Sequence, residues 1–498
     1  MQLATILAIL SVVILVCLLS SKVSSWLNLP TLILFLGVGM LFGSEGVGGL
    51  KFDNAMAANY IGSVSMAFIL FAGGFDTRWK SVRPVLITAG ILSSLGVLLT
   101  AVFVGIFTWA ILKLFLPALN ISLAWCLLLG SIISSTDAAA VFAILRSKRV
   151  SLKGLLQPLL EFESGSNDPM AAFLTIFMVQ VVAAESTGAP GMAMSGYWVI
   201  LPWFLLKMSL GIGCGLLLGK AAVFLYNKLD FEYDGLYYVL AIVTVLLTFA
   251  GTELVQGNGF MSVYVAGMVM GNSRFIFHNG IGKFYDGFAW LMQVILFSML
   301  GLLSYPKQLW EVKWIGLAVA VFLMLVARPA AVFLGMIRSR FNFRERILVS
   351  WVGLRGGAPI MLATFPLLAR IENDNIMFHI VFFIVLSSVL VQGTSIMTLA
   401  RMLNLDLPLR ITPRVPLSFE NTGTVDATSK EFIVDKRANQ KTLAELGLPQ
   451  GALVMLIRRG SEFLIPQGAT ELLEGDNLMI MGADKTLEQA ALLLQEKE

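Results

Sequence analysis

Two acidic side chains on one face of an otherwise apolar stretch are the residues best placed to do chemistry. They lie in Glu161-Phe162-Glu163-Ser164-Gly165-Ser166-Asn167-Asp168-Pro169. Glu163 and Asn167 are four residues apart, as are Ser164 and Asp168, so a helix gathers them into one polar stripe. Carboxylates in apolar surroundings suit a proton or a small cation, because their oxygens are either protonated or ionised. A hydrogen-bonded patch between helices is the plain alternative, yet two carboxylates with Ser and Asn exceed what packing needs. Ser134-Ser135-Thr136-Asp137 and Gly353-Leu354-Arg355-Gly356-Gly357-Ala358-Pro359 interrupt two further apolar stretches near their middles. Gly-Gly followed by Pro weakens a helix and frees carbonyls and amides.

These residues need apolar helices to carry them, and the composition supplies such helices. Of 498 residues, 57% are hydrophobic and 13% are charged; the mean hydropathy is +0.83. Soluble domains carry roughly 25% charged residues, so a water-soluble enzyme is excluded for most of the length, as is a disordered chain. A bilayer core asks for about 20 apolar residues per helix. Thirteen runs qualify, centred on 3–20, 27–43, 59–75, 84–112, 122–145, 158–184, 198–226, 235–252, 259–272, 284–303, 314–336, 347–369 and 377–400. The ninth is short. The first has full span length and no basic flank, so it reads as a span and not as a leader.

Loop charge orients the spans. With the N-terminus outside, the cytoplasmic loops hold 15 Lys/Arg and the opposite loops 5, a positive-inside bias. Ionisable groups at bilayer depth cost about 2.5–3.5 kcal/mol each, and Asp137, Glu163, Asp168, Arg328 and Arg355 stand out on that count. Lys207, Glu253 and Asp76 lie nearer span ends, where a charge reaches water. The interruptions in spans five and twelve occupy corresponding positions if spans 1–6 repeat as 8–13, inverted, around span seven.

Other patterns are weaker. Gly37-Val38-Gly39 and Gly211-Ile212-Gly213 follow no strand, so a nucleotide loop is excluded. Gly211, Gly215 and Gly219 suit close helix packing, a dimer seam included. Cys17, Cys126 and Cys214, like His278 and His379, form no metal or disulfide pattern.

From 402 onward the chemistry changes: 10 Lys/Arg and 14 Asp/Glu stand against 25 and 17 before it. Short strands are expected at 431–434, 453–457, 462–466 and 477–482, and short helices at 442–446 and 487–494. The domains are therefore a membrane body at 1–402, a linker at 403–416 and a small α+β domain at 417–498.

Thr136-Asp137-Ala138-Ala139-Ala140, Glu163 through Pro169 and Gly353-Leu354-Arg355-Gly356 together resemble the NhaP-type monovalent cation:proton antiporters over about 1–400. The resemblance implies an α-helical polytopic membrane protein of thirteen spans, with inverted repeats and two broken crossing helices. It implies Asp168 as the carboxylate that binds either cation or proton. Asp137, the Thr136 carbonyl and Ser164 would add oxygens. Glu163 would pair with Arg355 and, with Asn167, hold the broken helices to span six. Asn167, where electrogenic relatives carry a second acid, implies electroneutral exchange. Asp76 lies in a segment similar to the family's cation pathway. The tail resembles the TrkA-C regulatory module of potassium transport proteins, without that module's usual nucleotide-binding half.

The expected function is secondary antiport of cytoplasmic K+ or Na+ against external protons, with no enzyme activity and no cofactor. The tail is expected either to bind a nucleotide or other small regulator or to serve only in dimerisation. Lipid, a second copy and the transported ions are the expected partners, with no nucleic acid. The expected location is the bacterial inner membrane. A gated cation channel is the reading from another class, although no filter-like repeat is present.

Overall fold

The computed structural model describes residues 3–27, 30–115, 121–147, 150–186, 190–408, 428–435, 438–460 and 462–494. Most of the expected linker and the expected domain start at 417 lie outside the described residues. The chain divides into two compact units. One holds Met1–Ala222, Tyr238–Ser273 and Phe284–Leu409; the other holds Val223–Tyr237, Arg274–Lys283 and Arg410–Glu498.

The first unit is helical. Among the described residues, eight helices are long and apolar enough to cross a membrane, and five shorter apolar helices accompany them. With two further helices, Ala138–Ser147 and Phe343–Trp351, they are in chain order α1 (Leu3–Leu27), α2 (Thr31–Phe42), α3 (Ala55–Asp76), α4 (Trp79–Phe115), α5 (Leu123–Ile132), α6 (Ala138–Ser147), α7 (Leu156–Ser186), α8 (Pro190–Lys228), α9 (Gly235–Leu254), α10 (Gly259–Gly271), α11 (His278–Leu302), α12 (Lys313–Gly335), α13 (Phe343–Trp351), α14 (Gly357–Ala369) and α15 (Asp374–Met402). The α7 and α15 helices are the most deeply packed of the long ones, with 61% and 67% of their apolar windows buried.

Small residues set the spacing. A Cβ on Gly74, Gly267 or Gly271 would fall on the backbone of the facing helix, so α3 and α10 lie backbone to backbone. Close approach of this kind is how helices associate where lipid offers no hydrophobic drive. The stripe Gly211, Gly215, Gly219 is used the same way. Added Cβ atoms would stand 2.8 Å from Asn258 O, 2.6 Å from Ser262 O and 3.0 Å from Ala266 Cα. That stripe faces α10 of its own chain, which corrects the assignment to a dimer seam.

Two spans are interrupted where the sequence placed the breaks. The α5 and α6 helices are separated by 133–137, and α13 and α14 by 352–356. The breaks meet: the Asp137 N–H donates to Leu354 O at 2.7 Å. Two other spans contain a π-helical turn, Leu92–Gly96 within α4 and Leu323–Ala327 within α12. Neither turn is marked by the residue pattern.

An unexpected ribbon closes the body. β1 (Val150–Leu152), between α6 and α7, pairs antiparallel with β2 (Asp406–Pro408), just beyond α15. Lys153 reinforces it, its Nζ donating to Asn404 O at 2.8 Å.

In the second unit the tail forms a four-stranded antiparallel sheet. Its strands are β3 (Thr428–Ile433), β4 (Leu453–Arg459), β5 (Glu462–Leu464) and β6 (Asn477–Gly482), in the order β3-β6-β4-β5. Helix α16 (Asp484–Leu494) contributes Leu487, Ala490 and Leu494 to a core with Phe432, Ile457, Leu478 and Ile480. The helix expected at 442–446 is instead a turn. Its amides leave the local ladder: Leu443 N donates to Thr470 O and Ala444 N to Gly468 O, both at 3.0 Å. Thr442 and Glu445 still exchange the bonds of a capping box.

Candidate functional site

The breaks in the two spans and the polar stripe of α7 converge. Arg355 extends from the second break to the first, where its Nη1 donates to Ser134 O at 2.6 Å and also to Ser135 O. Those carbonyls are free because α5 has ended. The Arg355 backbone N–H donates to Ser388 Oγ at 3.1 Å, and Ser388 in turn donates to Gln392 Oε1. The Gln392 side chain donates to Trp351 O at 2.9 Å. Ser388 and Gln392, an i,i+4 pair on α15, thus hold the second break, and their spacing in an apolar run was the unread signal.

The α7 stripe grips the first break. Ser164 Oγ donates to Thr136 O and accepts from the Ala138 N–H, both at 2.9 Å. Asn167 Nδ2 donates to Thr136 Oγ1 at 2.6 Å. Asp137 caps its own half-helix, its Oδ1 accepting from Ala140 N at 3.1 Å. A Cβ at Gly356 would fall on the Asp137 carboxylate, so glycine there lets the second break lie against it.

A small cavity of about 40 Å³ opens at this junction, lined among others by Ser135, Thr136, Asp137, Asp168, Gln293 and Gly356. Asp168 presents to this region an Oδ1 with no hydrogen-bond partner. Gln293, a lone amide in the apolar run of α11, was missed by sequence reasoning. A second amide was missed as well: Asn258, at the start of α10, donates from Nδ2 to Pro169 O at 3.0 Å, one residue past Asp168.

The expected pair of Glu163 with Arg355 is corrected. Glu163 bonds Arg328, with Arg328 Nη2 to Glu163 Oε1 at 2.5 Å and both side chains almost wholly buried. Arg328 follows directly on the π-helical turn of α12. Arg355 is occupied instead by the serine carbonyls of the first break. A Cβ at Gly353 would stand 2.6 Å from Arg328 Nε, so that glycine makes room for the guanidinium.

The peripheral charges have local roles. Glu253 accepts from the Gly259 N–H at the start of α10, at 2.8 Å, where a helix favours negative charge. Lys207 lies over the Trp203 ring. Asp76 is exposed at the end of α3. In His379, Nδ1 donates to Asn375 O at 2.6 Å and Nε2 accepts from Tyr305 N at 3.4 Å, which makes it a structural residue.

The site thus collects three carboxylates, on Asp137, Glu163 and Asp168, and two guanidiniums, on Arg328 and Arg355. With every group ionised one negative charge is left over, and one monovalent cation or one proton balances it.

Comparison with known proteins identifies the family. Residues 10–402 match the family described as sodium/hydrogen exchanger, transmembrane, and residues 432–495 match the TrkA-C domain. The chain is 36% identical over 478 residues to a K(+)/H(+) antiporter NhaP of Alkalimonas amylolytica, covering 95% of this chain and 80% of that one. It is 35% identical over 490 residues to a K(+)/H(+) antiporter NhaP2 of Shewanella baltica, covering 97% and 81%. Its fold is similar to that of the sodium proton antiporter MjNhaP1 from Methanocaldococcus jannaschii. There the TM-score is 0.68 at 24% identity, over 81% of this chain and 99% of that one. The chain therefore belongs to the sodium/hydrogen exchanger family, as a membrane-embedded monovalent cation:proton antiporter that carries a TrkA-C domain.

Proposed function

We propose that the chain exchanges cytoplasmic K+ for external protons, one for one, at Asp168. The observation that carries this is the charge balance: one uncompensated negative charge beside a carboxylate oxygen with no partner. A cation and a proton compete for that oxygen, and alternating access turns the competition into obligatory exchange. Asp137, the Thr136 carbonyl and Ser164 complete the cation's oxygen shell. A carbonyl has a second lone pair beyond the one that Ser164 uses on Thr136.

Preference for K+ rests on the names of the similar NhaP and NhaP2 antiporters. Na+ is the second reading, because the similar proteins of Methanocaldococcus jannaschii are named for sodium. Thirteen spans related as inverted repeats, an external N-terminus, a bacterial inner-membrane location and a homodimer complete the reading. The tail regulates exchange, with a nucleotide or another small molecule as its ligand.

The test is dequenching of a pH-sensitive dye in proteoliposomes on addition of K+, Na+, Rb+ and Li+ in turn. The native chain should respond to K+ in a saturable way that follows the proton gradient. Asp168→Asn should fold and give no response. Vigorous exchange by that variant would sink the assignment.

A further inference from the structure

A second cavity of about 580 Å³ lies in the membrane body, walled by α4, α7, α8 and α10. That volume is within the roughly 300–1,000 Å³ of ordinary ligand sites. Leu86, Phe162, Met170, Met208 and Met268 make much of its wall. The polar groups of the wall, the Tyr264 hydroxyl apart, are already committed. Ser93 and Ser94 donate to Gly90 O at 3.2 and 2.6 Å, and Ser166 donates to Phe162 O at 2.5 Å. The Asn272 amide donates to Thr77 O and Met268 O, both at 2.8 Å; the Tyr264 hydroxyl alone is buried without a hydrogen-bond partner. A polar ligand finds one buried hydroxyl to bond there, whereas an apolar chain finds walls made for it.

The rim has the opposite chemistry. Trp79, the first residue of α4, lines the cavity, is 43% exposed and donates its backbone N–H to Asn272 Oδ1 at 2.9 Å. Tryptophan settles where acyl chains meet headgroups. Around it on one short stretch stand Arg78, Lys80 and Arg83, all exposed, with no hydrogen bond or ion pair of their side chains among the described residues. Three unspent cations beside an apolar cavity complement a ligand with a phosphate at one end and a hydrocarbon at the other.

We propose that this is a lipid site: one acyl chain of an anionic phospholipid enters the cavity, and its phosphate is held by Arg78, Lys80 and Arg83. The site bears on transport because Phe162, Ser166 and Met170 lie on α7, the helix that carries Glu163, Asn167 and Asp168. It does not depend on which cation is exchanged.

The test is tryptophan fluorescence of the full chain in phosphatidylcholine vesicles that contain either phosphatidylglycerol or phosphatidylcholine with brominated acyl chains, at equal mole fraction. The brominated phosphatidylglycerol should quench more. The extra quenching should vanish in Trp79→Phe and be at least halved when Arg78, Lys80 and Arg83 are all changed to Gln. Gly90→Phe should abolish it too. An added Cβ at Gly90 meets nothing within 4 Å, so the ring enters the cavity without a clash at its base. Equal quenching by the two lipids would overturn the proposal. So would extra quenching that survives Gly90→Phe, or a brominated free fatty acid that quenches equally in the native and triple-Gln chains.

Discussion

Glu163 and Arg328 form the ion pair on which the site's charge balance turns. Removing one partner of a buried pair leaves the other uncompensated, at a cost of about 3–5 kcal/mol. Glu163→Ala and Arg328→Ala should each lower the thermal midpoint in detergent, and the double change should cost clearly less than their sum. The same cycle with Arg355 should be far closer to additive, because Arg355 is held by the carbonyls of Ser134 and Ser135. Strong coupling of Glu163 to Arg355, with none to Arg328, would contradict the geometry. On the opposite charge scale, Tyr305 lies between α11 and α12 and donates to Asp53. That bond, and then burial, holds its proton up to about 12, against about 10 for a free phenol. Because the folded value is the higher one, the contact stabilises fully below about 10 and is lost as pH rises through about 12. A difference titration of phenolate absorbance between the native chain and Tyr305→Phe should show this late transition, and Asp53→Asn should move it down.

At the scale of the helices, contact with no side chain between is what must be defended. Gly267→Ala puts a methyl group on the Phe71 carbonyl across the α3–α10 seam. Overpacking of this kind costs about 1–3 kcal/mol, so the melting midpoint should fall. Gly213→Ala is the control. It lies on α8 with nothing within 4 Å of the new carbon, and alanine is the better helix former by up to about 1 kcal/mol. Its midpoint should hold or rise. A reversed order of the two variants would mean that the seam is not close-packed. The stripe of Gly211, Gly215 and Gly219 was legible, whereas the helix it faces was not, because a four-residue period says that a stripe exists and names no partner.

For the whole molecule, the one-for-one exchange proposed above predicts that no net charge crosses per cycle. Clamping the vesicle potential with an ionophore should leave initial exchange rates unchanged. A rate that tracks the imposed potential would require a second moving charge, and Glu253 and Lys207 are poorly placed for it, given their local partners. The ribbon β1–β2 ties the segment just beyond α15 to β1, which joins the half-helix after Asp137 to the helix of Asp168. Truncation after Pro416 keeps the ribbon, so it should leave folded, active exchange with an altered pH or ligand response. Outright loss of exchange in a folded truncated protein would make the tail part of the transport machine.

Hydrophobic period and the cost of buried charge made much of this protein readable from its residues. The interrupted spans at Thr136-Asp137 and Arg355-Gly356, the stripe of α7 and the strands of the tail all stand where local pattern put them, because each is written within one stretch of chain. Partners across the bundle were a different matter. Two arginines, Arg328 and Arg355, were available to Glu163, and nothing in spacing distinguishes them; the π-helical turn before Arg328 and the freed carbonyls in front of Arg355 decided it. Gln293 and Asn258 looked like stray amides until packing brought them beside Asp168. The turn at 442–446 was likewise settled by the segment at 468–470, which took its amides. Short-range order follows from the chain's own periodicity, while the choice among equivalent long-range partners is made only when the helices pack and each buried donor takes the acceptor within reach.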